Sequence, residues 1–191
     1  MLVLDGPPRW PEVPVFHKMF PHPEIELLQK AASLAARFHA SQLRKDGRTP
    51  YIAHPVRVAF VLREAFGCAD PVVLAAGLLH DLIEDTPADR DDIAEVAGEE
   101  VAALVAVLTK DMRLPEAERE EAYDRQLAAA PWQARLIKLA DVYDNLCDSL
   151  TSRVAVKIDD KVVRALHLAG DDPELRRASQ ALRELRDAAC G

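Results

Sequence analysis

The segment "GLLHDLIEDT", Gly77 to Thr86, ends an apolar run with one imidazole and three carboxylates. Burying an unpaired carboxylate is costly, so Asp81 needs a partner. Asp81, Glu84 and Asp85 stand at i, i+3 and i+4, the spacing of one helical face. Three neighbouring acids repel unless a cation lies among them or one holds a proton. A divalent metal held by His80 and Asp81 removes the conflict and leaves Glu84 and Asp85 one turn on, beside water. Solvated acids at a helix end are the plainer reading, but carboxylates are unfavourable at the negative end of a helix dipole.

Two more ligands are needed for a closed set, and His54 and Asp141 are the candidates, against the plainer readings of a capping histidine and a solvated stripe. His54 in "PYIAHPVRV" precedes Pro55 at a helix start. Asp141 in "KLADVYDNL" begins a polar stripe, Asp141, Asn145 and Asp148, inside an otherwise apolar helix. Two imidazoles and two carboxylates make a mixed N/O site suited to Mn²⁺ or Fe²⁺. The three cysteines, Cys68, Cys147 and Cys190, form no CxxC pair and exclude a thiolate site. His39 is a weaker candidate, second to these or a core residue. His17, His22 and His167 lack supporting context. Arg44 and Lys45, in "QLRKDGRTPY", offer a forked donor and a mobile charge to phosphate ahead of His54.

These residues need helices to carry them. Leu27, Leu28, Ala31, Leu34, Ala35 and Phe38 mark one apolar stripe from Glu24. Pro55 opens a second helix that Gly67 closes. Asp70-Pro71 caps and starts a third, which is apolar on every side over 72–79 and therefore central. A short polar helix over 89–97 follows, then one after Gly98. Pro115 starts the next. Pro131 starts a longer one with Leu136, Leu139, Ala140, Tyr143, Leu146 and Leu150 inward. Asp172-Pro173-Glu174 opens the last. No convincing period-two strand appears. The expectation is an all-α domain of roughly eight helices over residues 24–191, preceded by an irregular arm over 1–23 that holds six of the 13 prolines.

The 191 residues favour a single domain with a real core. A net charge of −8 argues against general affinity for nucleic acid or anionic membrane. No apolar run approaches the ~20 residues of a membrane helix, and no signal peptide is evident. A reducing cytoplasm is the expected setting. The charge is uneven. Residues 27–63 hold seven Lys/Arg against Asp46, and residues 81–100 hold nine acids against Arg90. Bases for an anion followed by acids for a cation suit a metal–phosphate site.

Together, "HASQLRKDGRTPYIAHP", "AAGLLHDLIEDT" and "IKLADVYDNL" resemble the hydrolase domain of the RelA/SpoT enzymes, above all the stand-alone small alarmone hydrolases, the Mesh1-like proteins. The resemblance covers about residues 27–150 and rests on several motifs in order. It implies an all-α HD domain. It implies one Mn²⁺ bound by His54, His80, Asp81 and Asp141, with Glu84 and Asp85 activating or orienting water. Arg44 and Lys45 would contact nucleotide and phosphate, and Asn145 the nucleoside. The implied reaction removes the 3′-pyrophosphate of guanosine tetra- or pentaphosphate, leaving GDP or GTP. The chain has no room for the synthetase domain of the long enzymes. Val142 and Asp144 depart from the basic or bulky residues of many relatives, which bears on the shape of the nucleotide pocket. The alternatives are another nucleotide at the same site (NADPH or an adenosine 3′-pyrophosphate) and a non-catalytic nucleotide sensor. Intact Glu84 and Asp85 count against the sensor. Oligomeric state is not legible.

Overall fold

The computed structural model of the protein describes residues 22–152 and 158–190. The proline-rich arm therefore lies almost wholly outside the described residues. Among those described the fold is all-α, with ten α-helices, a π-helical turn and a 3₁₀ turn; the one β feature is an isolated Leu43–Pro50 bridge. Two helices exceed the expectation: a four-residue helix at Leu82–Asp85 and a twelve-residue one at Ile158–Ala169.

Helix α1 (Pro23–Phe38) starts on a proline and buries Ala31, Leu34 and Ala35, the three- and four-residue spacing of one face. The loop that follows is pinned by the Asp46 carboxylate, which accepts from Arg48 N, Thr49 N and the Thr49 hydroxyl. Helix α2 (Ala53–Phe60) runs into a π-helical turn over Val61–Ala65. Gly67, at φ +76°, takes the left-handed conformation that lets the chain leave this turn. The Arg177 guanidinium closes the end by donating to the carbonyls of Ala65 and Glu64.

Asp70 caps α3 (Pro71–Leu79), its side chain accepting from Val72 N at 2.9 Å. Every residue from Val73 to Leu79 is buried. Helix α3 packs against α1, α2, α6 (Glu99–Leu108) and α8 (Trp132–Ser152), so it is the central rod its composition predicts. Gly77 permits the closest approach: a Cβ there would stand 2.6 Å from Leu62 Cδ1.

The rod breaks at His80–Asp81 and resumes as α4 (Leu82–Asp85). This corrects the single-helix reading. Asp81 has φ −108°, ψ 3°, and turns inward, whereas Asp85 is exposed. Asp81 caps α4 while Glu84 and Asp85 end it; Asp85 N donates to Asp81 O at 2.9 Å, and all three acids line one cleft.

Asp89 and Asp92 form a reciprocal capping box at α5 (Arg90–Ala97). Helix α7 (Glu116–Ala128) is joined to α9 (Ile158–Ala169) through Arg164, which donates to Glu120 and Asp124. The turn Pro173–Leu175 leads into α10 (Arg176–Cys190). On α8 the stripe holds as far as Leu146, but Leu150 is 46% exposed. The last turns of α8 carry it past the core, against expectation. No helix among the described residues is long and apolar enough to cross a membrane.

Candidate metal centre and nucleotide cleft

Three elements converge where α3 breaks. Helix α2 brings His54, the break brings His80 and Asp81, and α8 brings Asp141. One ligand atom from each of His54, His80 and Asp81 lies within 4.8 Å of the others. Asp141 Oδ1 stands 3.2 Å from His54 Nε2 and 3.8 Å from His80 Nε2. All four residues are buried.

Each imidazole uses its Nδ1 elsewhere and presents Nε2 to the centre. His80 Nδ1 lies 2.9 Å from the Gly77 carbonyl, and His54 Nδ1 lies 2.7 Å from Asp144 Oδ2. Neither oxygen of Asp81 has a hydrogen-bond partner, although both are buried. His39 Nε2 faces Asp81 Oδ1 at 3.3 Å, also without hydrogen-bond geometry, while its Nδ1 meets Gln42 Oε1. An orphaned buried carboxylate beside two aligned imidazoles is the donor set a divalent cation requires.

Electrostatics agree. Burial opposes charge on Asp81, but His80 and the neighbouring imidazoles hold its carboxyl below the usual range. Burial opposes charge on Asp141 as well, and Lys138 with the two imidazoles overrides it. Burial alone would lower His80; the Asp81 and Asp141 carboxylates instead raise it to about 9. Both carboxylates are thus held in their anionic form, the form that ligates a cation.

Asp141 is further fixed by Lys138 Nζ on Oδ2 at 2.8 Å and by Asn145 Nδ2 on Oδ1 at 2.6 Å. Glu84 is half-buried, and its Oε2 accepts from Lys110 N at 3.2 Å. Asp85 Oδ2 accepts from the Tyr51 hydroxyl at 2.9 Å. The second oxygen of each acid has no hydrogen-bond partner among the described residues.

The centre opens into a cleft of about 770 Å³, which includes open solvent. It continues into an adjoining hollow of about 620 Å³ between α7, α8 and α9. Arg44 lines the cleft, stacks 5.4 Å from the Tyr51 ring centroid, and donates to Asn145 Oδ1 and Asp148 Oδ2. Lys45 is exposed and does not line the wall.

Sequence reasoning missed the lysines opposite. Lys110, Lys138 and Lys161 line both hollows. Lys110 pairs with Glu120 and Lys138 with Asp141, whereas Lys161 has no carboxylate partner among the described residues. Burial, then repulsion from Lys138 and Lys45, lowers the pKa of Lys161. Lys138 was signalled by its place three residues before Asp141. Lys161 had no signal, since its segment carried no motif.

Asp144 is a correction. It does not shape the nucleotide pocket; at 3% exposed it stands behind His54. The signal was available: it lies three residues after Asp141, as Arg57 lies three after His54.

A family model described as "HD domain" matches residues 31–177. The human guanosine-3′,5′-bis(diphosphate) 3′-pyrophosphohydrolase MESH1 is 44% identical over 126 residues, 65% of this chain and 70% of that protein. Its Drosophila melanogaster counterpart is 40% identical over 125 residues, 65% of this chain and 68% of that one. A GTP pyrophosphokinase of Myxococcus xanthus is 36% identical over 151 residues, 74% of this chain but 19% of that protein. A solved structure described as a metazoan orthologue of SpoT that hydrolyses ppGpp superposes with TM-score 0.75 at 29% identity, over 89% of this chain and 97% of that one. By the extent of the matched domain and the identity within it, the chain belongs to the HD-domain family and is a close homologue of the Mesh1-type proteins.

Proposed function

We propose that this protein is a Mn²⁺-dependent hydrolase that removes the 3′-pyrophosphate of guanosine tetra- or pentaphosphate, releasing GDP or GTP. The observation that carries this reading is the buried His54–His80–Asp81 group with two unpartnered Asp81 oxygens, completed by Asp141. Relatives with at least 40% identity over two thirds of this chain or nearly so are named for that reaction.

His54, His80, Asp81 and Asp141 would hold the cation. When bound there, a divalent ion supplies Lewis-acid chemistry toward a phosphoryl oxygen and toward water. Glu84 and Asp85 line the same cleft, and each would use its open carboxylate oxygen to accept or direct the proton of the attacking water. In the balanced reaction, water oxygen bonds to the proximal phosphorus of the 3′-pyrophosphate. The bond from that phosphorus to ribose O3′ breaks, and O3′ gains a proton. Arg44 on one wall, with Lys110, Lys138 and Lys161 on the other, would offset the phosphate charge, and the exposed Lys45 beside Arg44 would meet the phosphates from outside the wall. Asn145 would meet the nucleoside. We place this activity in one domain over residues 24–191 and in the cytoplasm; Cys68 and Cys147 form no disulfide among the described residues, which suits a reducing medium.

Guanosine tetraphosphate, NADPH and an adenosine 3′-pyrophosphate, compared at equal Mn²⁺, test the substrate. The expected result is GDP plus pyrophosphate from the first with the highest kcat/KM. Preference for either of the others, on a metal-loaded sample, would reassign the substrate while leaving the site. No turnover of any would point to the nucleotide sensor instead.

A further inference from the structure

We propose that Asp144, braced by Arg57, is a positioning residue for the metal: it sets the tautomer and aim of His54. The inference rests on the metal reading above. A carboxylate only accepts hydrogen bonds, so the 2.7 Å contact from Asp144 Oδ2 to His54 Nδ1 requires the proton on Nδ1. Nε2, which faces Asp141 Oδ1 3.2 Å away, is then the nitrogen left to offer its lone pair to a cation held with that carboxylate. His54 is 2% exposed and Asp144 3%, so water cannot replace the contact.

The carboxylate is itself held. Arg57 donates from Nε to Oδ1 at 2.7 Å and from Nη2 to Oδ2 at 3.0 Å, a forked pair. Arg57 Nη2 also lies 3.2 Å from Asp148 Oδ1. Spacing explains the arrangement. Asp141 and Asp144 stand three apart on α8, so one helix supplies both a direct ligand and the support for a ligand on α2. His54 and Arg57, three apart on α2, meet that support from the other side. The other histidine is held by the backbone carbonyl of Gly77, which no side-chain change removes. Of the two histidine supports, Asp144 is therefore the replaceable one.

Supports of this kind are worth about 10–100-fold in metal affinity. Mn²⁺ titration of the metal-free protein by calorimetry, for the native chain, Asp144→Asn, Asp144→Ala and Arg57→Gln, tests the proposal. Metal-free melting curves check that each variant folds. The expected result is a Kd raised about 10–100-fold for the Asp144 variants and by less for Arg57→Gln. Turnover should largely return at saturating Mn²⁺, because Asp144 is buried behind His54 and does not line the cleft; a merely structural residue would give no such split. Should the alanine variant not fold, the isosteric asparagine carries the test. A folded Asp144→Asn protein with Mn²⁺ affinity within about twofold of the native chain overturns the inference. A native chain that binds no Mn²⁺ overturns it together with the metal reading.

Discussion

Around Asp81, three buried histidines each give Nδ1 to the protein: His39 to Gln42, His54 to Asp144, His80 to Gly77. Only His54 and His80 also bring Nε2 to Asp141. Glu84 and Asp85 stand outside this set, which under the proposed function would separate proton handling from metal holding. Replacing Glu84 by alanine should lower kcat by about 10²–10⁴-fold while Mn²⁺ content stays at the native level. A parallel loss of bound metal would place Glu84 among the ligands instead. Lys161 makes a different prediction. It carries a charge with no carboxylate partner at the cleft wall, so Lys161→Ala should raise KM about tenfold with Mn²⁺ affinity unchanged; steady-state kinetics with a Mn²⁺ titration reads both. At this scale the sequence exposed residues whose chemistry is unusual where they stand, such as His80 and Asp81 after an apolar run. It hid those whose neighbours come from far along the chain, such as Lys161.

The elements decide which of those residues meet. The apolar composition of α3 forecast a central rod, and the Asp70 cap forecast its start. The break at His80–Asp81 was not legible, because residues 77–86 carry neither proline nor a second glycine to mark it. Yet the break is what sends Asp81 inward and Asp85 outward. On α8, the polar stripe was read for Asp141, Asn145 and Asp148, but the i+3 position was not, since its partner, His54, lies 90 residues earlier. The close packing of α3 on the π-helical turn at Gly77 supports the rod where it approaches the site. Gly77→Ala would drive a Cβ to 2.6 Å from buried Leu62 Cδ1. It should lower stability by about 1–3 kcal/mol in denaturant unfolding. A loss below about 0.5 kcal/mol would show that Leu62 swings aside freely.

As a whole, the molecule sets acids and bases from distant segments around one cleft. The basic 27–63 segment supplies Arg44, the acidic 81–100 segment supplies Asp81, Glu84 and Asp85, and helices α6 to α9 complete the wall. The uneven charge in the sequence anticipated this opposition, while α9 joins the wall by packing on α8 and through Arg164 binding α7, contacts no local pattern announces. Because the ligands come from α2, the α3–α4 break and α8, cation binding should tie these parts together. Mn²⁺ at about a hundred times its Kd adds about 2.7 kcal/mol of stability by mass action, a rise of roughly 5–10 °C in Tm for a chain of this size. A chelator should reverse it; a Tm indifferent to both would mean no cation joins these elements. The most direct measurement follows GDP and pyrophosphate from guanosine tetraphosphate, for the native chain and Glu84→Ala, with Mn²⁺ and with chelator. Equal amounts of the two products are expected from the native chain with Mn²⁺, and near-background rates in the other three conditions. Turnover that survives chelation, or a Glu84→Ala rate equal to the native one, would contradict the proposed function.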